Sequence, residues 1–483
     1  MWLAVVVVVV AILYLASRKP RGYPPGPPRL PLVGYLPYLN PHLPHKQLWG
    51  LSSTYGPVVG LYFGTQPVVV VNGWEAVKEA LLNDDLNGRP ENVFFTILYK
   101  QQRGVMFVEG DLWKEQRRFA LHQFRNLGFG KRSHEAVVHD ETRALLQEIR
   151  KAEGSITLWE MLGVSNLIIL WAVMGGKRLE RSDDRLWDLV VRLNSVFRAG
   201  DISGGLVQSF PFIRHFLPKD HRFNVVNDGF RLVNDYIKEA IDEHRKELDP
   251  NDPRDFIDLY LIEMDKQKDS RDTTFEEVQL LASCSDIFAA GTETGSATVS
   301  FAILLMTLYP EVMAKVQKEL DEVVGRSRLP SIEDRSKLPY TEATLNEVFR
   351  FRGAAPVTVP HKAMKDAILQ GSRIPAETMV IVNLYSVMMD PEYWSDPHTF
   401  RPERFLNPDG TLRKDERLIP FGKGRRACLG ESLARMTSFI LFTSLAQHFN
   451  FTLDPSVPVP NTEGKSGFTL GPPEFKVFTK ERL

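Results

Sequence analysis

Cysteine and net charge are both scarce in this sequence of 483 residues. Only two residues are Cys, which excludes a scaffold held together by disulfides. The 59 Lys and Arg residues nearly balance the 60 Asp and Glu residues, leaving a formal charge of -1. Nucleic acid is therefore excluded as the main partner, because phosphate binding needs an excess of basic residues. With 43% hydrophobic and 25% charged residues, the composition indicates a folded globular protein rather than a disordered one.

Long apolar runs are also lacking, with one exception at the start of the chain. Met1 to Ala16 is unbroken apolar, and Arg18, Lys19 and Arg21 follow it. A helix of this length extends about 24 Å, slightly less than a hydrocarbon core of about 30 Å. A cleaved signal peptide is the alternative, but it has its basic residues before the apolar run. Basic residues after the run favour a single membrane anchor over residues 1–17, with the rest of the protein in the cytosol.

A proline-rich stretch follows the anchor. YPPGPPRLPLVG, from Tyr23 to Gly34, has several fixed φ angles and predicts a stiff, extended connector over residues 18–34. The alternative is a ligand for an SH3-type domain, which is less favoured because the stretch lies between an anchor and a folded domain. Residues 35–483 show no internal repeat and no shift in composition, so we expect them to form a single domain.

Apolar spacing predicts a mainly α fold with a minor β part. Pro57 to Val71 contains two β-rich runs broken at Gly64 to Gln66, which predicts a hairpin. Phe449 to Leu453 and Phe475 to Phe478 are short apolar runs that predict a small C-terminal sheet. Helices are predicted at Trp74–Leu82, Leu112–His122, His134–Lys151, Asp184–Arg198, Arg222–Leu248, Phe275–Leu308, Glu311–Val324, Thr341–Arg352 and Cys428–His448.

Cys428 lies in the loop PFGKGRRACLGE, from Pro420 to Glu431. Glycines on both sides of the cysteine allow the backbone to approach a flat ligand closely. We expect a helix N-terminus at the cysteine, and this terminus together with Arg425 and Arg426 would lower the pKa of the thiol. Such a thiolate is a nucleophile or an iron ligand. The alternative is a buried structural cysteine, although a loop rich in Gly and Arg makes a poor apolar core.

The string FGKGRRACLG resembles the haem-binding loop of the cytochrome P-450 family, most of all its microsomal family-2-type clan. Its signature positions match Phe421, Gly424, Arg426, Cys428 and Gly430. The resemblance covers the chain from the proline connector to the C-terminal sheet and implies the P-450 fold, a large helical haem-binding body with minor β-sheets. It also implies that Cys428 is the axial thiolate ligand of haem b, whose electron donation favours cleavage of the O–O bond.

A second motif, FAAGTETG, lies inside the longest predicted helix, where a glycine costs about 1 kcal/mol relative to alanine. The resemblance implies that Ala290 and Gly291 leave room for dioxygen, and that Glu293 and Thr294 are the catalytic acid and alcohol that handle protons there. Considered without the resemblance, Thr294 would bond back to the carbonyl of Ala290 and Glu293 would be a solvated charge. Gly295 stands where the family commonly has Thr or Ser.

Glu347 and Arg350 lie three residues apart on one face of a predicted helix. Such a pair is usually a surface ion pair worth a few tenths of a kcal/mol. The neighbouring residues are unusually apolar, however, and FRPERF follows at Phe400 to Phe405. The resemblance implies that Arg404 joins the pair in a buried structural triad that shapes the core on the haem side.

In WKEQRR, Trp113 and Arg117 lie four residues apart and can reach one anionic group together. Cation–π packing of the two side chains is the alternative. The resemblance implies that both contact a haem propionate, and that Arg89, His361 and Arg426 occupy the remaining propionate-binding positions.

No nucleotide-binding fingerprint is present, since GFGKRS at Gly128 to Ser133 lacks a third glycine and a preceding strand. Electrons from NADPH are therefore expected to come through a separate membrane-bound NADPH-cytochrome reductase, with cytochrome b5 as a second candidate donor. A basic docking face on the thiolate side is one interpretation, and a solvated surface of mixed charge is the other. The candidate residues of this face are Lys114, Arg118, Arg125, Lys131, Arg132, Lys423 and Arg425.

The resemblance predicts a monooxygenase of the endoplasmic reticulum membrane that uses dioxygen and NADPH to insert one oxygen atom into a lipophilic substrate. Xenobiotics, steroids and terpenoid hormone precursors such as juvenoids are the candidate substrates, and hydroxylation and epoxidation both stay open. A haem-thiolate sensor or carrier, and a peroxide isomerase that does not use NADPH, are the alternatives. By resemblance, the substrate pocket contains Phe107, Ala290, Ala355, Val359 and Phe468, all of them apolar, so that shape would select the substrate.

Overall fold

A computed structural model of the chain describes Trp2 and residues 19–130, 132–201 and 203–482. Helices dominate these residues, which confirms the mainly α prediction. In chain order the α-helices are α1 (Pro44–Gly50), α2 (Ser52–Tyr55), α3 (Trp74–Leu82), α4 (Val93–Tyr99), α5 (Gly110–Asn126), α6 (Arg132–Lys151), α7 (Leu158–Met174), α8 (Asp184–Ala199), α9 (Gly205–Ser209), α10 (Arg222–Glu247), α11 (Phe256–Gln267), α12 (Glu277–Leu308), α13 (Pro310–Val323), α14 (Pro339–Phe351), α15 (Tyr385–Met388), α16 (Pro391–Trp394) and α17 (Glu431–His448).

The strands form three small sheets. They are β1 (Val58–Phe63), β2 (Gln66–Val71), β3 (His361–Lys362), β4 (Ala367–Leu369), β5 (Ser372–Ile374), β6 (Met379–Val382), β7 (Phe449–Leu453) and β8 (Val477–Glu481). The main sheet has the order β1-β2-β6-β3, in which β1 and β2 form the predicted hairpin. Strand β6 runs parallel to β2, with Met379 opposite Val68. Strands β7 and β8 pair as the predicted C-terminal sheet.

The predicted helices are confirmed, with their ends shifted by a few residues. The last one differs where it matters, because α17 begins at Glu431 and Cys428 precedes it. Among the helices that the spacing does not predict, α7 and α11 are the longest. Nearly every residue of α7 is buried, so the helix has no polar face to alternate with an apolar stripe.

Helix α12 lies at the centre of the fold and packs against α7, α10 and α17. Its contact with α7 is close, because a Cβ at Gly291 would lie 2.8 Å from the Leu170 side chain and one at Gly295 would lie 2.5 Å from Asn166 Oδ1. The two glycines are one turn apart and let the helices approach. Gly291 thus serves helix packing on this face, which differs from the role beside dioxygen that the sequence suggests.

The two N-terminal predictions have different outcomes. The predicted anchor, Met1 to Ala16, lies outside the described residues except for Trp2. In the part of the chain that the structure describes, one helix, α12, is long and apolar enough to cross a membrane, and 83% of its most apolar window is buried inside the protein. The proline-rich connector packs on the main sheet, since Tyr23 is buried and its hydroxyl donates to Val68 O at 2.9 Å. The connector is therefore attached to the domain rather than a free spacer.

Candidate active site

The cysteine loop is held in place by its own backbone. The amide of Cys428 donates to the carbonyl of Phe421 at 2.9 Å, which closes the loop before α17. Gly424 has a φ of +76°, and a Cβ there would collide with the carbonyl oxygen of Leu81 at the end of α3. A Cβ at Gly430 would meet no described atom within 4 Å. Backbone conformation and packing therefore require glycine at 424.

The pKa of the Cys428 thiol differs from the sequence expectation. The side chain has exposed surface, yet dense protein around the loop makes burial the main influence, and burial raises the pKa. The Gly430 amide and Arg117 lower it in part, whereas Glu431 raises it. Arg425 pairs with Asp84 at 3.1 Å. A thiol in this position becomes a thiolate by coordinating a metal cation, which suits a ligand better than a free nucleophile.

Beside the cysteine loop lies a cluster of cations with few anions. Like charges act on one another here, so the pKa of Arg426 falls to about 9 through burial and then through Arg117. The pKa of Arg89 falls well below its ordinary value through burial and then through Arg426 and Arg117. His361 is fully buried, and its pKa is also lowered by burial and by Arg89. Burying these positive charges close together costs free energy, and a bound ligand with negative charge would offset that cost.

Two buried donors of this cluster have no hydrogen-bond partner among the described residues, namely Trp113 Nε1 and Arg426 Nη1. Their side chains stack, with the Arg426 guanidinium 3.8 Å from the Trp113 ring centroid. The other Arg426 nitrogens donate to Asn87 O and Val108 O at 2.9 Å. Since buried donors are nearly always satisfied, these two fit the carboxylate of a bound group. A cysteine ligand beside donors for carboxylates is the arrangement that haem with its two propionates requires.

The other three residues predicted to contact a propionate form hydrogen bonds with backbone carbonyl groups. Arg89 donates to Met106 O at 2.8 Å and to Pro360 O at 3.1 Å, and His361 Nδ1 lies 3.0 Å from Leu86 O. Arg117 Nη2 donates to the carbonyl of Ala427 at 2.5 Å.

Glu293 and Thr294 are adjacent on α12 but face different surroundings. Thr294 is half-buried, like Ala290 one turn before it, and its hydroxyl donates to Ala290 O at 2.7 Å. The side chain of Glu293 is fully buried and accepts from Arg198 Nη2 at 2.5 Å and from Thr469 Oγ1 at 2.7 Å. Burial raises the pKa of Glu293, and Arg198 partly offsets this. The solvated alternative for Glu293 is therefore wrong, whereas the back-bonding described for Thr294 is present.

The candidate pocket residues come from separate segments. Phe107 stacks on Phe95 of α4 with ring centroids 4.1 Å apart. Phe468 lies edge-on to Phe197 of α8 at 6.2 Å. Ala355 and Val359 are half-buried in the segment between α14 and β3.

Glu347, Arg350 and Arg404 meet in the interior. Arg350 donates to the two carboxylate oxygens of Glu347 at 2.7 and 2.8 Å, and Arg404 Nε donates to Glu347 Oε1 at 3.0 Å. The Glu347 and Arg350 side chains have no exposed surface. The pair is thus a buried network and not the exposed ion pair of the alternative interpretation.

The candidate docking face is mixed in charge. Arg118 and Arg125 are exposed on α5, where Lys114 pairs with Asp111 at 2.8 Å. Lys423 lies over the Trp74 ring. Lys131 and the Arg132 side chain fall outside the described residues.

Sequence reasoning misses Asp286, which lies two turns before Thr294 on α12. The carboxylate is buried and accepts from the backbone amides of Val105 and Met106 at 2.8 and 2.9 Å. Burial raises its pKa to about 7, and the two amides partly oppose this. A carboxylate in an apolar helix is a visible signal in the sequence, but its partners are backbone groups that no side-chain motif marks.

Comparison with known proteins agrees with this geometry. The profile of the family described as cytochrome P-450 matches residues 24–478. Cytochrome P-450 2B2 of Rattus norvegicus is 37% identical over 98% of this chain and 97% of its own length. Farnesoate epoxidase of Bombyx mori is 35% identical over 99% and 98%, and cytochrome P-450 2C8 of Homo sapiens is 36% identical over 96% and 95%. The chain therefore belongs to the cytochrome P-450 family and is a haem-thiolate monooxygenase that acts on lipophilic substrates.

Proposed function

We propose that this monooxygenase works at the endoplasmic reticulum membrane, held by Met1 to Ala16, and takes electrons from NADPH through a separate reductase. The observation that carries the active-site assignment is the pair of unpartnered buried donors, Trp113 Nε1 and Arg426 Nη1, beside the cysteine loop. Haem bound there supplies the activation of dioxygen. Cys428 would supply the thiolate that binds its iron, and the stacked Trp113 and Arg426 would hold a propionate.

The other polar residues of the cluster hold the protein segments around the propionate site. Arg89 and His361 form hydrogen bonds with backbone carbonyls, so they fix the segments that border the site. The charge of Arg89 still favours a dianionic ligand, because the field of a buried cation extends over several ångströms, whereas the lowered pKa of His361 leaves it a neutral polar group. Arg117 lies close enough to Cys428 to lower its pKa and binds the neighbouring carbonyl, so it positions the ligand loop.

Thr294 handles protons at the reacting centre by holding a water there. Its hydroxyl donates to Ala290 O, so its oxygen is left to accept a hydrogen bond from that water, which would be the proton source. Glu293 keeps its carboxylate fully buried and paired one residue away. We assign it to the same function by its place in the motif and by the buried charge that it holds next to Thr294.

The substrate is a lipophilic molecule selected by shape. The five candidate pocket residues are apolar, and each methylene buried against such a surface stabilises binding by about 0.8 kcal/mol. Farnesoate epoxidase among the relatives makes a terpenoid acid or ester one class to test, together with steroids and xenobiotics. Exposed basic residues near the cysteine loop, among them Arg118 and Arg425, support docking of an acidic reductase surface, and cytochrome b5 could use the same face.

The test is reconstitution of the purified protein with NADPH-cytochrome reductase in lipid vesicles. NADPH consumption should rise when a lipophilic compound is added, and an oxygenated product should accumulate. Stable haem binding without consumption would indicate the sensor, and product formed from an organic hydroperoxide without NADPH would indicate the isomerase.

The pocket is tested by enlarging two of its residues. Val359→Phe or Ala290→Phe should change the oxidation site or exclude the substrate, while the reduced protein with carbon monoxide keeps its thiolate-type spectrum. Val191→Phe is the matched control, because Val191 is exposed on α8. Unchanged products and affinity in both pocket variants would contradict this placement of the substrate.

A further inference from the structure

Arg198 connects three parts of the fold that are far apart in sequence. It lies in the last turn of α8 and donates to Glu293 of α12 through Nη2 at 2.5 Å. The same guanidinium donates to Thr469 Oγ1 at 2.9 Å and to Thr469 O at 3.1 Å, and it also bonds the carbonyl of Lys465. Residues 465–471, which we name the C-terminal turn, are therefore fastened to α8 and α12 by one side chain.

Three side chains of this network bind one another, and Arg198 Nε is left without a hydrogen-bond partner among the described residues. Thr469 Oγ1 donates to the second oxygen of Glu293 at 2.7 Å, so the carboxylate, the hydroxyl and the guanidinium all bind one another. Glu293 has no exposed side-chain surface, and Arg198 is 18% exposed. Removing Arg198 would leave an uncompensated buried carboxylate and break the bonds to the turn together.

The backbone of the C-terminal turn is shaped to receive this side chain. A Cβ at Gly471 would lie 2.8 Å from the Arg198 guanidinium carbon, so a larger residue there would displace the guanidinium from its present position. A Cβ at Gly467 would collide with the carbonyl of Phe197, and one at Gly200 would collide with the Phe468 ring. Three glycines at one contact indicate close backbone approach rather than chance proximity.

The turn carries a candidate substrate contact. The amide of Phe468 donates to Phe197 O at 2.9 Å, and its ring packs edge-on against the Phe197 ring. The other end of the network is Glu293, the neighbour of Thr294. Arg198 thus connects the pocket wall on the turn to the segment of α12 that faces the reacting centre.

We propose that Arg198 is a positioning residue, which fixes the C-terminal turn against α12 and so determines which carbon of the substrate is oxidised. The proposal rests on the proposed placement of Phe468 in the pocket. Arg198 acts through the turn and through Glu293 and does not touch the substrate.

The experiment compares Arg198→Ala with Arg192→Ala in the full-length, haem-loaded protein. Arg192 is the matched control, since it lies on the same helix and pairs with Asp188 at the exposed surface. Hydrogen–deuterium exchange is measured at residues 465–471, where Phe468, Leu470 and Gly471 have bonded amides. Product ratios are measured with a probe from a panel of steroids and terpenoids that the wild type converts into more than one product.

Arg198→Ala should speed exchange in the C-terminal turn by about 10-fold or more and shift the product ratio, while Arg192→Ala changes neither. Arg198→Lys should restore both in part, because its ammonium still pairs with Glu293 but reaches fewer acceptors. Where Arg198→Ala fails to bind haem, Thr469→Val is used, which removes one hydroxyl and keeps the Arg198–Glu293 ion pair. It should give the same changes to a smaller extent.

Unchanged exchange in the turn of these variants would overturn the proposal. Faster exchange with an unchanged product ratio would also overturn it, and Phe468→Ala then shows which premise failed. If Phe468→Ala shifts the products, the pocket placement stands and the positioning role of Arg198 is wrong. If Phe468→Ala leaves them unchanged, the placement of Phe468 in the proposed pocket is wrong.

Discussion

Asp286 gives the sharpest test of the interior, because its burial predicts how stability depends on pH. Burial raises its pKa in the folded protein to about 7, against 3.8 for an ordinary Asp. Between these values the folded state holds one more proton than the unfolded state does. The free energy of unfolding therefore falls as pH rises through this range, by about 1.4 kcal/mol for each pH unit. From pH 5 to pH 7 the loss amounts to roughly 2 kcal/mol, because the slope has fallen to half its full value at the folded pKa.

Asp286→Asn removes this titration while keeping an oxygen that accepts from the amides of Val105 and Met106. The assay is urea unfolding of the haem-loaded protein followed by far-UV circular dichroism between pH 5 and pH 7.5. The quantity to compare is the wild-type free energy of unfolding minus that of the variant, so that other titrating groups cancel. We expect this difference to fall by about 1.4 kcal/mol per pH unit between pH 5 and pH 6, and progressively less steeply as the pH passes through about 7.

Asp409→Asn is the control. Hydrogen bonds from Thr411 lower the pKa of the exposed Asp409, so it is ionised in both states throughout the assay and its difference should stay level. A level difference for Asp286→Asn as well, or one that rises with pH, would refute the reasoning. It would mean that the two amide hydrogen bonds outweigh burial and keep the carboxylate ionised in the fold.

Three further substitutions and one deletion test the site and the anchor. Thr294→Ala should keep haem and substrate binding but release more peroxide per NADPH, and unaltered product per NADPH would limit Thr294 to helix back-bonding. Cys428→Ala should lose the carbon monoxide spectrum of thiolate haem, and an unchanged spectrum would exclude this ligand. Glu347→Gln should destabilise the fold by about 3–5 kcal/mol, because two buried guanidinium groups lose their carboxylate, and a thermal midpoint equal to that of the wild type would contradict this. Deleting Met1 to Ala16 should release much of the protein from membranes with its haem spectrum intact, whereas loss of haem would assign the segment to the fold.

Local patterns in the sequence predict much of the fold. Amphipathic helices such as α6, α8 and α10 repeat apolar residues along one face, and the hairpin of β1 and β2 is marked by Gly64 in its turn. Helix α7 escapes prediction because it is buried on nearly all sides, and its apolar run lacks periodicity. Strands β3 and β6 are short and are not marked by their own sequence, because β6 pairs with β2 of the distant hairpin and β3 pairs with β6.

The candidate site is predictable where residues lie close together in the chain. Cys428 and its glycines form one string, and Glu293 and Thr294 form another. Arg198 and Thr469 are not predictable in this way, because they reach Glu293 from α8 and the C-terminal turn. The raised pKa of the Cys428 thiol likewise depends on protein packed around the loop, which spacing along the chain does not describe.

The pairing of β2 with β6 sets the order of events during synthesis. The two strands lie about 310 residues apart. Strand β2 therefore cannot pair with β6 until most of the chain has left the ribosome. At about 5–20 residues per second this interval lasts roughly 15–60 s. Until then the edge of β2 that pairs with β6 stays open, and an unpaired apolar edge is a template for other chains. Nascent chains of this protein should therefore need a bound chaperone until residue 382 emerges from the ribosome. A ribosome stalled between β2 and β6 should expose an aggregation-prone hairpin.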